Sequence, residues 1–217
     1  MRQLLYIPII HDEADLGSPG PDLAHSSAAL AGERRWAMHR ETVRRFWEMV
    51  RGYLSRYDAR KMRVYQDGLA ADGAVGKRIV EEGARRGSRN YQIVLELVAN
   101  GAHLQATEHV ALLLREHAQA TAVGRPASSP EQRERLLEER DTYIADVIGA
   151  TLQEEELGVL FIGAVHNVLG RLATDIRVQT AKDPDKLRAY IHELLLGNDS
   201  RRLETLARYV AAPVDTS

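Results

Sequence analysis

The chain has 217 residues, 44% hydrophobic and 28% charged, with a formal net charge of −2 and no cysteine. A chain this long buries roughly 70% of its unfolded surface as one domain, and this composition is neither disordered nor collagen-like. The charge balance argues against a phosphate-backbone binder, and without cysteine only His, Asp and Glu remain as strong metal ligands or nucleophile partners.

No apolar run approaches the ~18 residues of a membrane span, so a cytoplasmic protein is expected. Residues 3–10 are a nearly continuous apolar run, the pattern of a strand covered on both faces. The opening MRQLLYIPII runs directly into HDEAD and reads as that strand, not as a signal peptide. Residues 11–24 are acidic and rich in Gly and Pro, hence a loop. Residues 27–57 read as a helix, with Val43, Trp47, Val50 and Leu54 on one face and arginines over much of the other. Residues 62–66 form a second strand, closed by the turn signal Asp67-Gly68. Two helices follow over 75–86 and 90–99, broken at Gly87-Ser88. Residues 102–106 are a short third strand and 110–117 a helix. For that helix Thr107 is the expected cap, and Glu108 a carboxylate suited to the positive end. Residues 119–130 are the best linker or lid in the chain.

Ser129, Pro130 and Gln132 make a capping box with proline at the first helical position. The helix they open should carry Leu137, Ile144, Ile148 and Leu152 as its apolar stripe. Residues 158–163 are the clearest strand and 176–180 the fifth. Asp183-Pro184 starts a helix to about Leu196, and Asp199 caps a last one ending before Pro213, so 183–212 is a C-terminal helical segment. Strands alternating with long crossovers predict one α/β domain over 1–217. It should have three layers: a mostly parallel central sheet of about five strands with helices on both faces.

Ligands of open parallel sheets bind beyond the carboxyl ends of the strands. His11 follows the first strand, with Asp15 close behind. Asp67 follows the second, Glu108 the third, and His166-Asn167 the fourth. Imidazole and carboxylate suit a divalent transition metal, Zn, Mn or Co. His166 is the strongest candidate, because Gly163 ends its strand and no structural duty for the imidazole is evident. His109 and Glu116 read as helix-surface residues, and His39 as a solvated or partly packed helix histidine. Arg89 and Asn90, at the head of the 90–99 helix, are candidates for a substrate anion. Ser18, near His11 and Asp15, is a further substrate-side candidate, though it lacks a strand–elbow–helix context.

Residues 138–172, EERDTYIADVIGATLQEEELGVLFIGAVHNVLGRL, resemble the TraB/Tiki-like family, which is grouped with ChaN-like and erythromycin-esterase-like proteins. The family carries Arg-Asn at the head of a helix, where this chain has Arg140-Asp141. A strand ending in G-x-x-H follows, matched by Gly163 to His166. The family's first strand also ends in G-x-x-H and its second in glutamate. Here these positions read Pro8-Ile9-Ile10-His11 and Tyr65-Gln66-Asp67. The resemblance implies an α/β fold and metal-dependent hydrolysis at His11, Asp67 and His166.

The leading expectation is therefore a metal-dependent hydrolase acting on a small-molecule or peptide substrate. His11, His166 and Asp67 would be ligands, and Asp67 or Glu108 the catalytic carboxylate. Asp15, Asn167 and Arg140 would orient them. Two alternatives stand beside it. One is a non-catalytic small-ligand or nucleotide-binding module of the same fold. The other is an interaction protein that forms a homo-oligomer through its long helices.

Overall fold

The computed structural model describes residues 1–10, 32–120 and 129–214. The expected α/β architecture is present. The strands are β1 (Arg2–Ile9), β2 (Met62–Gln66), β3 (His103–Gln105), β4 (Leu157–Gly163) and β5 (Ile176–Thr180). They form one sheet in the order β3-β2-β4-β1-β5, with every pairing parallel. Among the described residues there are seven α-helices: α1 (Glu33–Leu54), α2 (Gly73–Arg85), α3 (Arg89–Ala99), α4 (Val110–Ala120), α5 (Pro130–Thr151), α6 (Pro184–Leu196) and α7 (Ser200–Ala211). None is long and apolar enough to cross a membrane.

The apolar runs give buried strands because both faces of the sheet are covered. Leu5, Ile7, Val64, Val159 and Phe161 pack on one side with Trp47 of α1, Ile93 of α3, Tyr190 of α6 and Leu203 of α7. The alternate residues Leu4, Tyr6, Tyr65, Leu160 and Ile162 pack on the other side with Ile144 and Ile148 of α5. This is the period of two of a pleated strand, with apolar residues in both phases. Each fully buried aliphatic side chain contributes roughly 1.5–3 kcal/mol.

Most predicted elements match the structure to within a few residues. The capping box at Ser129 forms, with Gln132 N donating to Ser129 Oγ and the Gln132 side chain returning to Ser129 N. Three local expectations need correction. The apolar stripe of α5 begins at Leu136 rather than Leu137, and Arg140 and Asp141 lie on that same buried face. Thr107 does not cap α4: its hydroxyl accepts from Gln66 N and donates to Gln105 O, while His109 Nδ1 accepts from Ala111 N. His39 is buried and bonded at 3.0 Å to the Tyr190 hydroxyl. The part of the first predicted helix before Gly32, most of the 119–130 linker, and His11, Asp15 and Ser18 lie outside the described residues.

The connection leaving β2 runs through α2 and α3 on the α1 face. The one leaving β4 runs through Val168 and Leu169 on the α5 face. β2 and β4 are neighbours in the sheet, so their chains part to opposite faces at the carboxyl edge. Open α/β sheets bind ligands at such a switch point.

Candidate active site at the carboxyl edge

Four sequence-predicted residues meet at that edge. One ligand-type atom from each of Asp67, Glu108 and His166 lies within 4.8 Å of the others, and Arg140 reaches across from α5. Asp67 is the first residue beyond β2. Its N–H donates to Phe161 O at 2.9 Å, carrying the ladder one step past the strand, and its Oδ2 accepts from Gly163 N at 3.0 Å. Gly68 follows with φ of 76°, a left-handed turn that favours glycine. A Cβ on Gly163 would stand 3.1 Å from Asp67 Oδ2 and crowd it, which accounts for glycine at that strand end.

A tight turn then closes with His166 N donating to Gly163 O at 3.1 Å, which folds the imidazole back over the strand ends. His166 is 4% exposed. Its Nδ1 is 2.6 Å from Asp141 Oδ1, and Asp141 Oδ2 accepts from Asn167 N at 2.8 Å. Asp141 thus fixes both the turn and the ring, and leaves Nε2 facing Asp67 Oδ2 at 3.5 Å. Burial pulls the His166 pKa down. The Asp141 hydrogen bond and the Asp67 charge outweigh it and raise the net value above the ordinary 6.5.

Glu108 is buried, its backbone held by Leu69 O at 3.0 Å. Its carboxylate receives Arg140 Nη2 at 2.5 Å and Nε at 3.3 Å. Desolvation raises its pKa, opposed by the Arg140 hydrogen bond and charge. Arg140 also donates to Asp67 Oδ1 at 2.9 Å and to Glu116 on α4. Its own pKa is raised by Glu108 and Asp67 despite burial, so it stays cationic. One guanidinium thereby joins β2, β3 and α4 through their carboxylates.

Other candidates fall differently. Asn167 contributes its backbone N–H, and its side chain is exposed. Arg89 and Asn90 open α3 behind the Ser88 cap, and Asn90 is buried rather than available on the surface. Asp141 is the site residue that residue-by-residue reading passed over, although it stands next to Arg140, which that reading singled out. A signal was present: 140 and 141 precede Ile144 by four and three residues. They therefore fall on the stripe that faces the sheet, where a charge needs a partner.

The residues suit a metal ion by their chemistry. A histidine whose Nδ1–H is given to a carboxylate presents Nε2 as the ligand atom, and two carboxylates stand beside it. Arg140 already engages both carboxylates, so a cation would share Asp67 and Glu108 with a guanidinium. The fold and site define an open parallel α/β protein with a buried acid–histidine–arginine centre at its switch point. Comparison of the chain with protein-family models, curated proteins and solved structures gave no match.

Proposed function

We propose that the carboxyl edge between β2 and β4 is the centre of a cytoplasmic metal-dependent hydrolase, of the kind the resemblance to TraB/Tiki-like proteins implies. The observation that carries this reading is the grouping of Asp67, Glu108 and His166 within 4.8 Å, with His166 oriented by Asp141. His166 Nε2 and Asp67 Oδ2 would hold a Zn, Mn or Co ion, with Glu108 or His11 as a further ligand. A bound ion of this class lowers the pKa of its water toward ~7 and polarises a carbonyl or phosphoryl oxygen. The protein's own share is to orient His166 through Asp141 and to hold Asp67 in place against Arg140. The buried walls limit water around the reacting group. Peptide, ester and phosphoester substrates are all compatible with this centre.

A second reading is favoured by the position of Arg140, which satisfies both carboxylates without a metal. In it, Asp141 and His166 act as a metal-free acid–base pair, with His166 Nε2 taking or giving the proton. Elemental analysis of protein purified without chelator, beside His166→Ala, separates the two. About one equivalent of transition metal in the wild type, lost in the variant, supports the metal reading. A wild type that takes up neither Zn²⁺ nor Mn²⁺ overturns it. Hydrolysis of model esters that persists in EDTA and is lost in His166→Ala then supports the acid–base pair. No hydrolysis by either route leaves a binding module.

A further inference from the structure

β5 is an edge strand, paired with β1 alone among the described residues. That pairing decides which of its backbone groups stay free. Arg2 N donates to Asp175 O at 3.1 Å at one end of the ladder, and Ala181 N donates to Tyr6 O at 2.8 Å at the other. In a parallel pair, alternate residues of a strand turn their backbone groups to the neighbour. The odd-numbered residues of β5 therefore face β1, and Ile176, Val178 and Thr180 turn their N–H and C=O groups outward. Ile176 N is already given to Ala173 O at 3.0 Å, whereas the N–H groups of Val178 and Thr180 have no acceptor among the described residues. A groove of about 640 Å³ follows this edge. Each residue from Arg177 to Asp183 lines it, with Leu169 on the α5 side of the sheet and Tyr209 on the α7 side.

Free edges are blunted by charge, proline or a covering element. The charged residues of this groove are Arg177, Lys182 and Asp183. Lys182 Nζ is committed to the carbonyls of Tyr209, Ala212 and Pro213, and Asp183 caps α6. The exposed Arg177 is left to guard the edge. Its position decides which partner fits. An antiparallel copy of β5 set about a two-fold axis at Arg177 would oppose two guanidinium groups, which destabilises. An axis at Val178, the midpoint of β5, pairs the whole strand and opposes no like charges. Val178 then meets itself, Ile176 meets Thr180, and Arg177 meets Gln179. The Gln179 Oε1 holds only a long bond, 3.4 Å from the Tyr53 hydroxyl, and can accept from a guanidinium. Two backbone bonds would join Val178 to its counterpart. Each Thr180 N–H would reach the Ile176 carbonyl of the other copy. We propose that β5 pairs antiparallel with β5 of a second copy of this chain about an axis at Val178, joining two five-stranded sheets into one. Such an isologous contact closes both free edges at once. It goes beyond the hydrolase reading and does not rest on it, since β4 and β2 lie two and three strands from β5.

The test is sedimentation equilibrium on the full chain, where a monomer–dimer equilibrium is expected. Val178→Pro should abolish the dimer, because proline removes an outward N–H that the β1 ladder does not use. Gln179→Glu sets a carboxylate opposite each Arg177 and should tighten the dimer about tenfold; Gln179→Arg should weaken it by a similar factor. The chain has no cysteine. Val178→Cys therefore places a single thiol opposite its own copy, at a Cα separation of about 5.5 Å that a disulfide can span. Mild oxidation should cross-link Val178→Cys and leave Thr180→Cys, which faces Ile176, uncross-linked. The charge and cysteine variants decide even if Val178→Pro folds poorly. A chain that stays monomeric up to millimolar concentration overturns the proposal. A dimer indifferent to Val178→Pro and to charge at position 179 overturns it in favour of a contact through the long helices. Cross-linking of Thr180→Cys in preference to Val178→Cys overturns the axis at Val178. Metal content measured on the same samples reports on the hydrolase reading separately.

Discussion

His166 Nδ1 and Asp141 Oδ1 lie 2.6 Å apart, joining the loop after β4 to the middle of α5. The same carboxylate holds Asn167 N, so ring orientation and loop conformation depend on one side chain. Asp141→Asn can still accept from Asn167 N but loses the charge that fixes the imidazole. We expect metal affinity to fall 10–100-fold, measured by competition with a chromophoric chelator. Affinity unchanged from wild type would show that Asp141 does not orient a ligand.

Arg140 is the permanent cation of the described cluster, and three carboxylates lean on it. Arg140→Met leaves Glu108 buried beside Asp67 with no counter-charge. Breaking a buried ion pair from one side costs about 3–5 kcal/mol. Urea unfolding should show that loss. Adding Glu108→Gln should recover much of it, because a neutral amide tolerates the site. Equal stability of the single and double variants would contradict the network.

The raised pKa of His166 makes stability depend on pH in the metal-free protein. The folded state holds the proton more tightly than the unfolded chain, whose value is near 6.5. The stabilisation is therefore fully present below pH 6.5 and lost as pH rises through the higher folded value. Denaturation midpoints in EDTA should fall across that window for the wild type, and fall less for His166→Gln. Parallel profiles would remove His166 as the linked group.

Gly163→Ala would place a methyl 3.1 Å from Asp67 Oδ2. Relieving that crowding should cost about 1–3 kcal/mol and turn Asp67 from its bond to Gly163 N. Loss of metal or acid–base function beyond the loss of stability is expected, measured by metal content and thermal melts on the same protein. Function at the wild-type level would mean that Asp67 can move without consequence.

The element sequence was legible because each element carries a local cause. Both-face burial makes apolar runs at β1 and β4. Capping chemistry starts α5, α6 and α7. Asp67-Gly68 ends β2 with a turn that favours glycine. The strand-end rule also put Asp67, Glu108 and His166 on one edge. What remained hidden was lateral. Only the order β3-β2-β4-β1-β5 makes β2 and β4 neighbours and lets Asp67 meet Gly163 and His166. Only packing of α5 on the sheet turns Arg140 and Asp141 inward, and makes Glu108 a partner of Arg140 rather than a helix-end carboxylate. Helix and strand periods are properties of neighbours along the chain. The pairing of Arg140 with carboxylates 24 to 73 residues away is decided when burial removes the water that would otherwise satisfy them.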